Sequence, residues 1–348
     1  MQKTILFLAA FLFSFRIFAQ IGGTSTYEFL NLPVSSRAAS LGGQVISVRD
    51  NDLNFCFYNP SLLNESMNAH FSVNYMNYFL DINNGYVAYA MKSKTLGNIA
   101  FGLQYLNHGE FDAANPEGII TGNFTASEYA AHMTWALPID SFFTFGINAK
   151  PVYSVLEKYQ SFGIAGDFGV TYHNQKQLFT AALVMRNLGI QLKPYYAGNR
   201  EPLPFEIQLA ISKKLEHAPF RFIVMAEHLE TIDLTYEEPE ENDNLGYLGQ
   251  ESEPSKIDEF GDKVLRHMNF GLEFTPFNNF YFNVGYNARR RKELQIESMP
   301  STVGISWGFG LKILKFHIGY ARANYHLAGS TNHFSLTTNL NELFYRKK

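Results

Sequence analysis

The chain has 348 residues, of which 46% are hydrophobic and 17% charged, and its formal net charge is −4. This mildly acidic balance argues against a nucleic-acid partner, because binding to a phosphate backbone needs clustered positive charge. The single cysteine, Cys56, excludes a small exported domain held by internal disulfides, and the mean hydropathy of −0.14 taken alone would indicate a water-soluble protein.

Residues 1–19 have the layout of a secretory signal peptide. Lys3 supplies the positive charge, and residues 4–15 form an apolar run that is too short to cross a bilayer. Ala19 is a small residue before the expected cleavage site, and Gln20 rather than Cys follows it, so a lipoprotein is not predicted. Beyond Gln20 no apolar run approaches the roughly 18 residues of a membrane-spanning helix, so no inner-membrane anchor is expected.

Residues 20–66 are predicted to form a compact segment without strands. Ser35 or Ser36 can cap a short helical turn through Ala39, and the Gly-Gly pair that follows can end it. The motif residues of this segment are Arg37, Gly42, Gly43, Asp50, Asp52, Asn59 and Pro60.

Residues 67–348 are dominated by a period of two. In residues 267–274, for example, Met, Phe, Leu and Phe alternate with His, Asn, Gly and Glu. Such alternation predicts β-strands with one apolar face and one small or polar face. We expect about fourteen strands, near residues 70–79, 85–92, 98–107, 127–136, 142–153, 162–173, 177–187, 204–214, 220–229, 265–274, 280–287, 303–311, 315–321 and 333–340.

The predicted connections between these strands alternate in length. One set is short throughout, whereas the other is mostly long and includes residues 109–126 and 230–264. Tight turns at one end and large loops at the other are typical of outer-membrane barrels, and the alternating faces explain why mean hydropathy hides them. The predicted fold class is therefore an all-β transmembrane outer-membrane β-barrel of about 14 antiparallel strands. A soluble periplasmic β-protein is the less favoured alternative.

Small and polar residues on the predicted lumen face suggest what fills the barrel. Glycine lets another backbone approach closely, so we expect residues 20–66 to form an N-terminal plug inside the lumen. The alternative is that the glycines only relieve strand curvature. The predicted lumen-facing residues include Asp167, Arg186, Glu206, Gln208, Glu273 and Asn283, with Gly102, Gly163, Gly169, Gly271, Gly285, Gly304 and Gly308.

The motifs of residues 20–66 resemble the N-terminal hatch of the FadL-like outer-membrane barrels. The matching pattern is Arg37-Ala38-x-x-Leu41-Gly42-Gly43, then the two aspartates, then Asn59-Pro60, with Ser61 standing where that superfamily usually has Ala. This resemblance implies a fourteen-stranded barrel that carries a plug. It also implies one function, a channel for hydrophobic small molecules.

Three further stretches, 27–33 (YEFLNLP), 186–189 (RNLG) and 204–208 (PFEIQ), resemble the PorV/PorQ group of the type IX secretion system. Together with 217–222 (HAPFRF), the first two make PorQ the most similar member. This resemblance implies a Bacteroidetes outer membrane and a non-catalytic role in protein secretion, in which the barrel holds a cell-surface partner like PorZ, part of the sortase complex. We expect that function, with the hydrophobic channel as the alternative.

Two charged segments are candidate partner-binding sites. Residues 230–264 form an acidic segment that the loop alternation places outside the cell, where it could bind a basic partner or a divalent ion, or simply be a solvated loop. A basic run follows a later strand and could contact outer-membrane lipid, in particular anionic lipopolysaccharide, or the acidic segment. The residues concerned are Glu237, Glu238, Glu240, Glu241 and Asp243, and Arg289, Arg290 and Arg291.

No catalytic residues, cofactor or metal site are predicted. Histidines are scattered, the sequence has no Gly-x-Ser-x-Gly nucleophile elbow, and it has no paired Cys/His spacing of the kind that binds zinc. We therefore do not expect an enzyme.

Overall fold

The structure, a computed structural model, describes residues 25–78, 81–235, 256–294, 302–326 and 329–344. Within these ranges fourteen antiparallel strands form a closed barrel in which sequence neighbours pair and β1 pairs with β14. The strands are β1 His70–Asn77, β2 Asn83–Ser93, β3 Gly97–Ala114, β4 Ile120–Pro138, β5 Phe143–Leu156, β6 Tyr159–Asn174, β7 Phe179–Lys193, β8 Glu206–Lys214, β9 Phe220–Ala226, β10 Met268–Phe277, β11 Phe280–Asn287, β12 Ile305–Ile313, β13 Phe316–His326 and β14 Gly329–Asn339. The predicted signal peptide lies outside the described residues.

The helices are short. The α-helices are α1 Ser36–Ser40, α2 Lys256–Arg266, α3 Ala288–Glu293 and α4 Leu340–Phe344, and 3-10 helices span Glu28–Asn31, Leu53–Phe57, Pro60–Leu62 and Glu65–Met67. None of the helices in the described ranges is long and apolar enough to cross a membrane.

The alternation in sequence corresponds to two faces of the barrel wall. On β10, Phe270 is 37% exposed on the outside, whereas Asn269 and Glu273 are almost fully buried on the inside. On β8, Leu209 and Ile211 face outward in the same way. Large apolar side chains thus cover the outer surface, and polar ones point inward, as in a barrel surrounded by lipid. The predicted fold class, including the strand number, is confirmed.

Several strands are longer than predicted at the end of the barrel that carries the long loops. The expected loop at residues 109–126 is mostly a continuation of β3 and β4, which still pair at Ala114 and Ile120. The expected loop between β5 and β6 is reduced to Glu157 and Lys158. The extension of β3 is largely exposed on both faces and its register with β4 shifts twice, so no apolar alternation marks it in the sequence.

The two ends of the barrel remain different. At the short-turn end the connections are residues 94–96, 139–142, 175–178, 215–219, 278–279 and 314–315. The long-loop end carries the largest connections, residues 194–205, 227–267 and 288–304.

The described part of the N-terminal segment lies inside the barrel. Ser35 caps α1 by accepting a hydrogen bond from the backbone N–H of Ala38, as predicted, and the chain leaves the helix through Gly42 and Gly43, both with positive φ. Helix α1 packs against β11 to β14, and the 3-10 helix Pro60–Leu62 packs against β4 to β6. The segment therefore forms a plug that touches opposite parts of the wall.

Candidate functional site

The plug and the wall residues that hold it form the candidate functional site. Two of the predicted lumen glycines, together with Gly146, mark where the plug touches the wall. A Cβ atom at Gly285 would overlap the backbone of Gly42, and one at Gly146 would overlap the backbone of Ser61. A Cβ atom at Gly169 would overlap the side chain of Asn59. These glycines are needed because the plug lies directly against the strands, with its backbone at Gly285 and Gly146 and with a side chain at Gly169.

Arg37 is the centre of an ionic network at the short-turn end. Its guanidinium lies 2.7 Å from Asp50 and 3.3 Å from Asp52, both in the plug, and 2.7 Å from Glu273 of β10. Arg221 of β9 lies 2.7 Å from the second oxygen of Glu273 and 3.4 Å from Asp50. Three carboxylates and two guanidinium groups thus connect the plug to two neighbouring strands.

The electrostatics of this network favour the ionised form of Asp50. Burial raises the pKa of the Asp50 carboxyl, but the positive charges of Arg37 and Arg221 outweigh burial and hold the pKa at about 2. The same residues line a polar cavity of about 300 Å³ that also reaches the turn at residues 278–279.

Asn59 and Pro60 hold the opposite side of the plug. The Asn59 amide donates hydrogen bonds to the carbonyl of Ile46 at 2.7 Å and to the hydroxyl of Thr171 on β6 at 3.0 Å. Its side-chain oxygen accepts from the backbone N–H of Ser61 at 2.9 Å, which caps the 3-10 helix that begins at Pro60. This motif therefore fixes both the local turn and its contact with the wall.

A second buried ion pair was missed by the sequence analysis. Lys150 of β5 lies 2.5 Å from Asp167 of β6, and both side chains are essentially unexposed. Asp167 also accepts hydrogen bonds from the Asn148 side chain and the Asn187 backbone, each at 2.9 Å. The strand alternation placed Asp167 in the lumen, and the same alternation applied to β5 would have placed Lys150 on the lumen face too. Only the strand register brings the two side chains together.

Arg186 joins the middle of the plug to the wall. It donates from Nη1 to the side-chain oxygen of Gln44 at 2.5 Å and from Nη2 to the carbonyl of Leu30 at 3.1 Å. Its guanidinium also lies 5.7 Å from the ring centres of Phe57 and Tyr58, at cation–π distance. Because the Arg186 side chain is completely buried, any movement of the plug here would break its contacts with the guanidinium.

The upper lumen, toward the long-loop end, is filled by apolar side chains. Tyr27, Phe29 and Leu30 are at most 2% exposed and lie inside the wall. They pack against Leu106, Ala130, Val152, Ala165 and Leu203. Apolar plug residues thus occupy the lumen at the long-loop end of the barrel.

The predicted partner-binding residues have different positions. Glu237, Glu238, Glu240, Glu241 and Asp243 lie outside the described residues. Arg289, Arg290 and Arg291 belong to α3, and Arg290 donates to the carbonyl of Gly42 in the plug at 2.8 Å. The neighbouring Lys292 lies 2.8 Å from Asp262 of α2, so the basic run contacts both the plug and the end of the acidic segment.

Among known proteins, similarity to this chain is found in the fold alone. No protein-family profile matches the chain, and no curated protein matches its sequence. Among solved structures, a deltaS2S3 mutant of the TodX monoaromatic hydrocarbon channel superposes with a TM-score of 0.53 at 11% identity, covering 88% of this chain and 98% of that one. The toluene transporter TodX of Pseudomonas putida gives a TM-score of 0.50 at 11% identity, covering 88% and 96%.

A FadL homologue of Pseudomonas aeruginosa is similar at a TM-score of 0.47 and 9% identity, covering 88% of this chain and 98% of that one. At such low identities the similarity concerns the fold alone. The described part of this chain is a closed barrel of fourteen antiparallel strands, and it shares its fold with the TodX structures.

Proposed function

We propose that this protein is a non-catalytic outer-membrane barrel that keeps its plug in place and holds a protein partner at the cell surface, as a PorQ-like component of type IX secretion. The observation that carries the proposal is the plug inside the lumen, which buried polar contacts attach to β6, β7 and β10. A barrel that only anchors a partner needs no passage through its lumen. The PorV/PorQ-like sequence motifs supply the type IX part of the proposal, for which the comparisons give no specific support.

A second function, a channel for hydrophobic small molecules, is favoured by the comparisons. The TodX structures are described as a monoaromatic hydrocarbon channel and a toluene transporter, and this chain shares their fold. The apolar upper lumen around Phe29 fits such a substrate class. Transport through this lumen would require the plug to move, because its side chains occupy the space. Anchoring of a partner does not require the plug to move.

A disulfide between plug and wall separates the two functions. A Cβ atom at Gly319 of β13 would lie 3.6 Å from the Cβ of Ser36 in α1, within the range of disulfide geometry. The variant Ser36→Cys/Gly319→Cys is made together with Cys56→Ala, since Cys56 is the free cysteine of the described chain. Gly319→Cys alone controls for crowding against Tyr281, whose hydroxyl would lie 2.9 Å from the new Cβ.

The variants are expressed in a strain that lacks the gene. If the protein anchors a partner, the oxidised, locked variant restores export of proteins that carry the type IX C-terminal signal. When the tagged barrel is isolated in mild detergent, it also retains one surface protein in stoichiometric amount. Normal export in the deletion strain would contradict the proposal. If the protein is a channel, the deletion reduces toluene uptake, and only the reduced or single-cysteine forms restore it.

A further inference from the structure

Three side chains of the kind that bind metal ions meet at the long-loop end of the barrel. Glu206 is the first residue of β8, and Glu227 and His228 directly follow β9. The two carboxylates and the imidazole each offer one atom, and these atoms all lie within 4.8 Å of one another. The residues are brought together by the pairing of β8 with β9.

Glu206 is buried without adequate partners. Its side chain is 1% exposed, and among the described residues neither carboxylate oxygen has a hydrogen-bond partner. The nearest guanidinium nitrogen of Arg186 is 3.8 Å away, and Nε2 of His228 is 3.6 Å away, both beyond hydrogen-bonding distance. His228, Arg186 and Arg289 attract this carboxylate from a distance, and its two oxygens remain open to a cation that approaches more closely.

The surroundings of His228 leave its Nε2 available as a ligand. Nδ1 lies 3.1 Å from one oxygen of Glu230, whose other oxygen accepts from the backbone N–H of Ile207 at 2.8 Å. A proton on Nδ1 donates to Glu230, and the lone pair of Nε2 then points toward Glu206. A carboxylate that orients a histidine in this way is a common feature around metal ligands.

Glu227 is held in place by two amides. Asn269 of β10 and Asn287 of β11 each donate to a different oxygen of Glu227 at 3.3 Å, and the residue is 4% exposed. With a neutral imidazole, Glu206, Glu227 and Glu230 carry three negative charges. Arg186 and Arg289 are the arginines that act on Glu206, and Arg289 is also paired with Glu293 at 3.9 Å, so the three carboxylates keep a net negative charge that attracts a cation.

We propose that Glu206, Glu227 and His228 bind a divalent first-row transition-metal ion of the Zn²⁺ type, with Glu230 orienting His228. Ligand atoms about 2.0–2.2 Å from one ion lie roughly 3–3.6 Å apart, which matches the spacing of Glu206 and His228 better than a hydrogen bond does. Mixed nitrogen and oxygen ligands favour such ions over Ca²⁺, which takes six to eight oxygens. The ion would join the first residue of β8 to the end of β9, at the base of the acidic segment.

Zn²⁺ binding to the full chain, folded in detergent and freed of metal by chelation, tests the proposal. Titration calorimetry and metal analysis are expected to give one Zn²⁺ per chain. His228→Ala and Glu206→Gln should weaken binding at least tenfold, and Glu230→Gln by about 10–100-fold, the usual effect of losing an orienting partner. His108→Ala is the matched control, because among the described residues His108 faces a single carboxylate, that of Glu128 at 2.9 Å. It should bind as the wild type does.

Co²⁺ binding provides a second readout, because the visible absorption spectrum of the Co²⁺ ion changes when His228 becomes one of its ligands. Folding of each variant is checked by heat-modifiable migration on a gel. If the folded wild type takes up no Zn²⁺ at equimolar concentration, or if Glu206→Gln and His228→Ala both bind as tightly as wild type, the proposal is overturned. In that case a proton on His228 is the cation that these carboxylates share.

Discussion

Arg37 of the plug donates a hydrogen bond from Nε to Glu273 of β10 at 2.8 Å, across 236 positions of sequence. Glu273 is 1% exposed and Arg37 only 11%. Arg37 therefore connects two parts of the chain that are far apart in sequence, and it pairs with carboxylates from both.

Replacing Arg37 with Ala should loosen the plug. The change leaves Asp50, Asp52 and Glu273 with Arg221 as the remaining guanidinium of the network, so we expect a loss of roughly 3 kcal/mol of stability. Thermal unfolding of the detergent-folded protein measures the loss, and protease cleavage within residues 25–66 reports release of the plug. Lys92→Ala is the control, because its ion pair with Glu65 is exposed and contributes little. Equal effects of the two substitutions would mean that the Arg37 network does not hold the plug.

Gly285→Ala should displace the plug without changing any charge. The added methyl group would meet the backbone of Leu41 and Gly42, which cannot rotate away as a side chain would. Overpacking of this kind typically costs about 1–3 kcal/mol. Gly122→Ala, where nothing lies within 4 Å of the new Cβ, is the matched control. An unchanged unfolding temperature for Gly285→Ala would show that plug and wall are not in direct contact there.

Acidification should weaken the contact between plug and wall through Asp50. Because its folded-state pKa of about 2 lies below the ordinary value of 3.8, ionised Asp50 favours the folded state. That contribution is fully present above about pH 4 and is lost as the pH falls through 2. Unfolding temperatures measured from pH 6 to pH 2 should fall less steeply for Asp50→Asn than for wild type. Parallel curves would rule out this role for Asp50.

Phe270→Arg should destabilise the barrel from the lipid side. Phe270 is on the outer face, and a charged residue there costs about 2–4 kcal/mol near the middle of the membrane. Phe270→Leu keeps the side chain apolar and serves as control. Folding yield in lipid vesicles and unfolding in urea measure the difference. If Arg and Leu behave alike, the outer face does not contact lipid at this position.

The opposite face of β10 cannot be treated as a wet lumen. Asn269 lies against Gly42 of the plug and donates to Glu227, so an Arg at this position would collide with the plug. We therefore expect Asn269→Arg to be damaging as well, through packing rather than through contact with lipid.

The alternation of apolar and polar residues determined the barrel, because lipid on one side and a packed interior on the other impose a period of two on every strand. The same alternation placed Glu273, Asp167 and Arg186 inside, and the glycines on that face indicated that a backbone would lie against them. A short helix capped by Ser35 could also be read directly, since capping depends on neighbours in sequence.

Only the tertiary structure decided which of these residues meet. The pairs Arg37–Glu273 and Lys150–Asp167, and the group of Glu206, Glu227 and His228, depend on strand register and on the path of the plug, neither of which leaves a local signal. The extensions of β3 and β4 escaped prediction for a related reason. Both faces of the β3 extension are exposed to solvent, so backbone pairing holds the hairpin while no burial pattern marks it in the sequence.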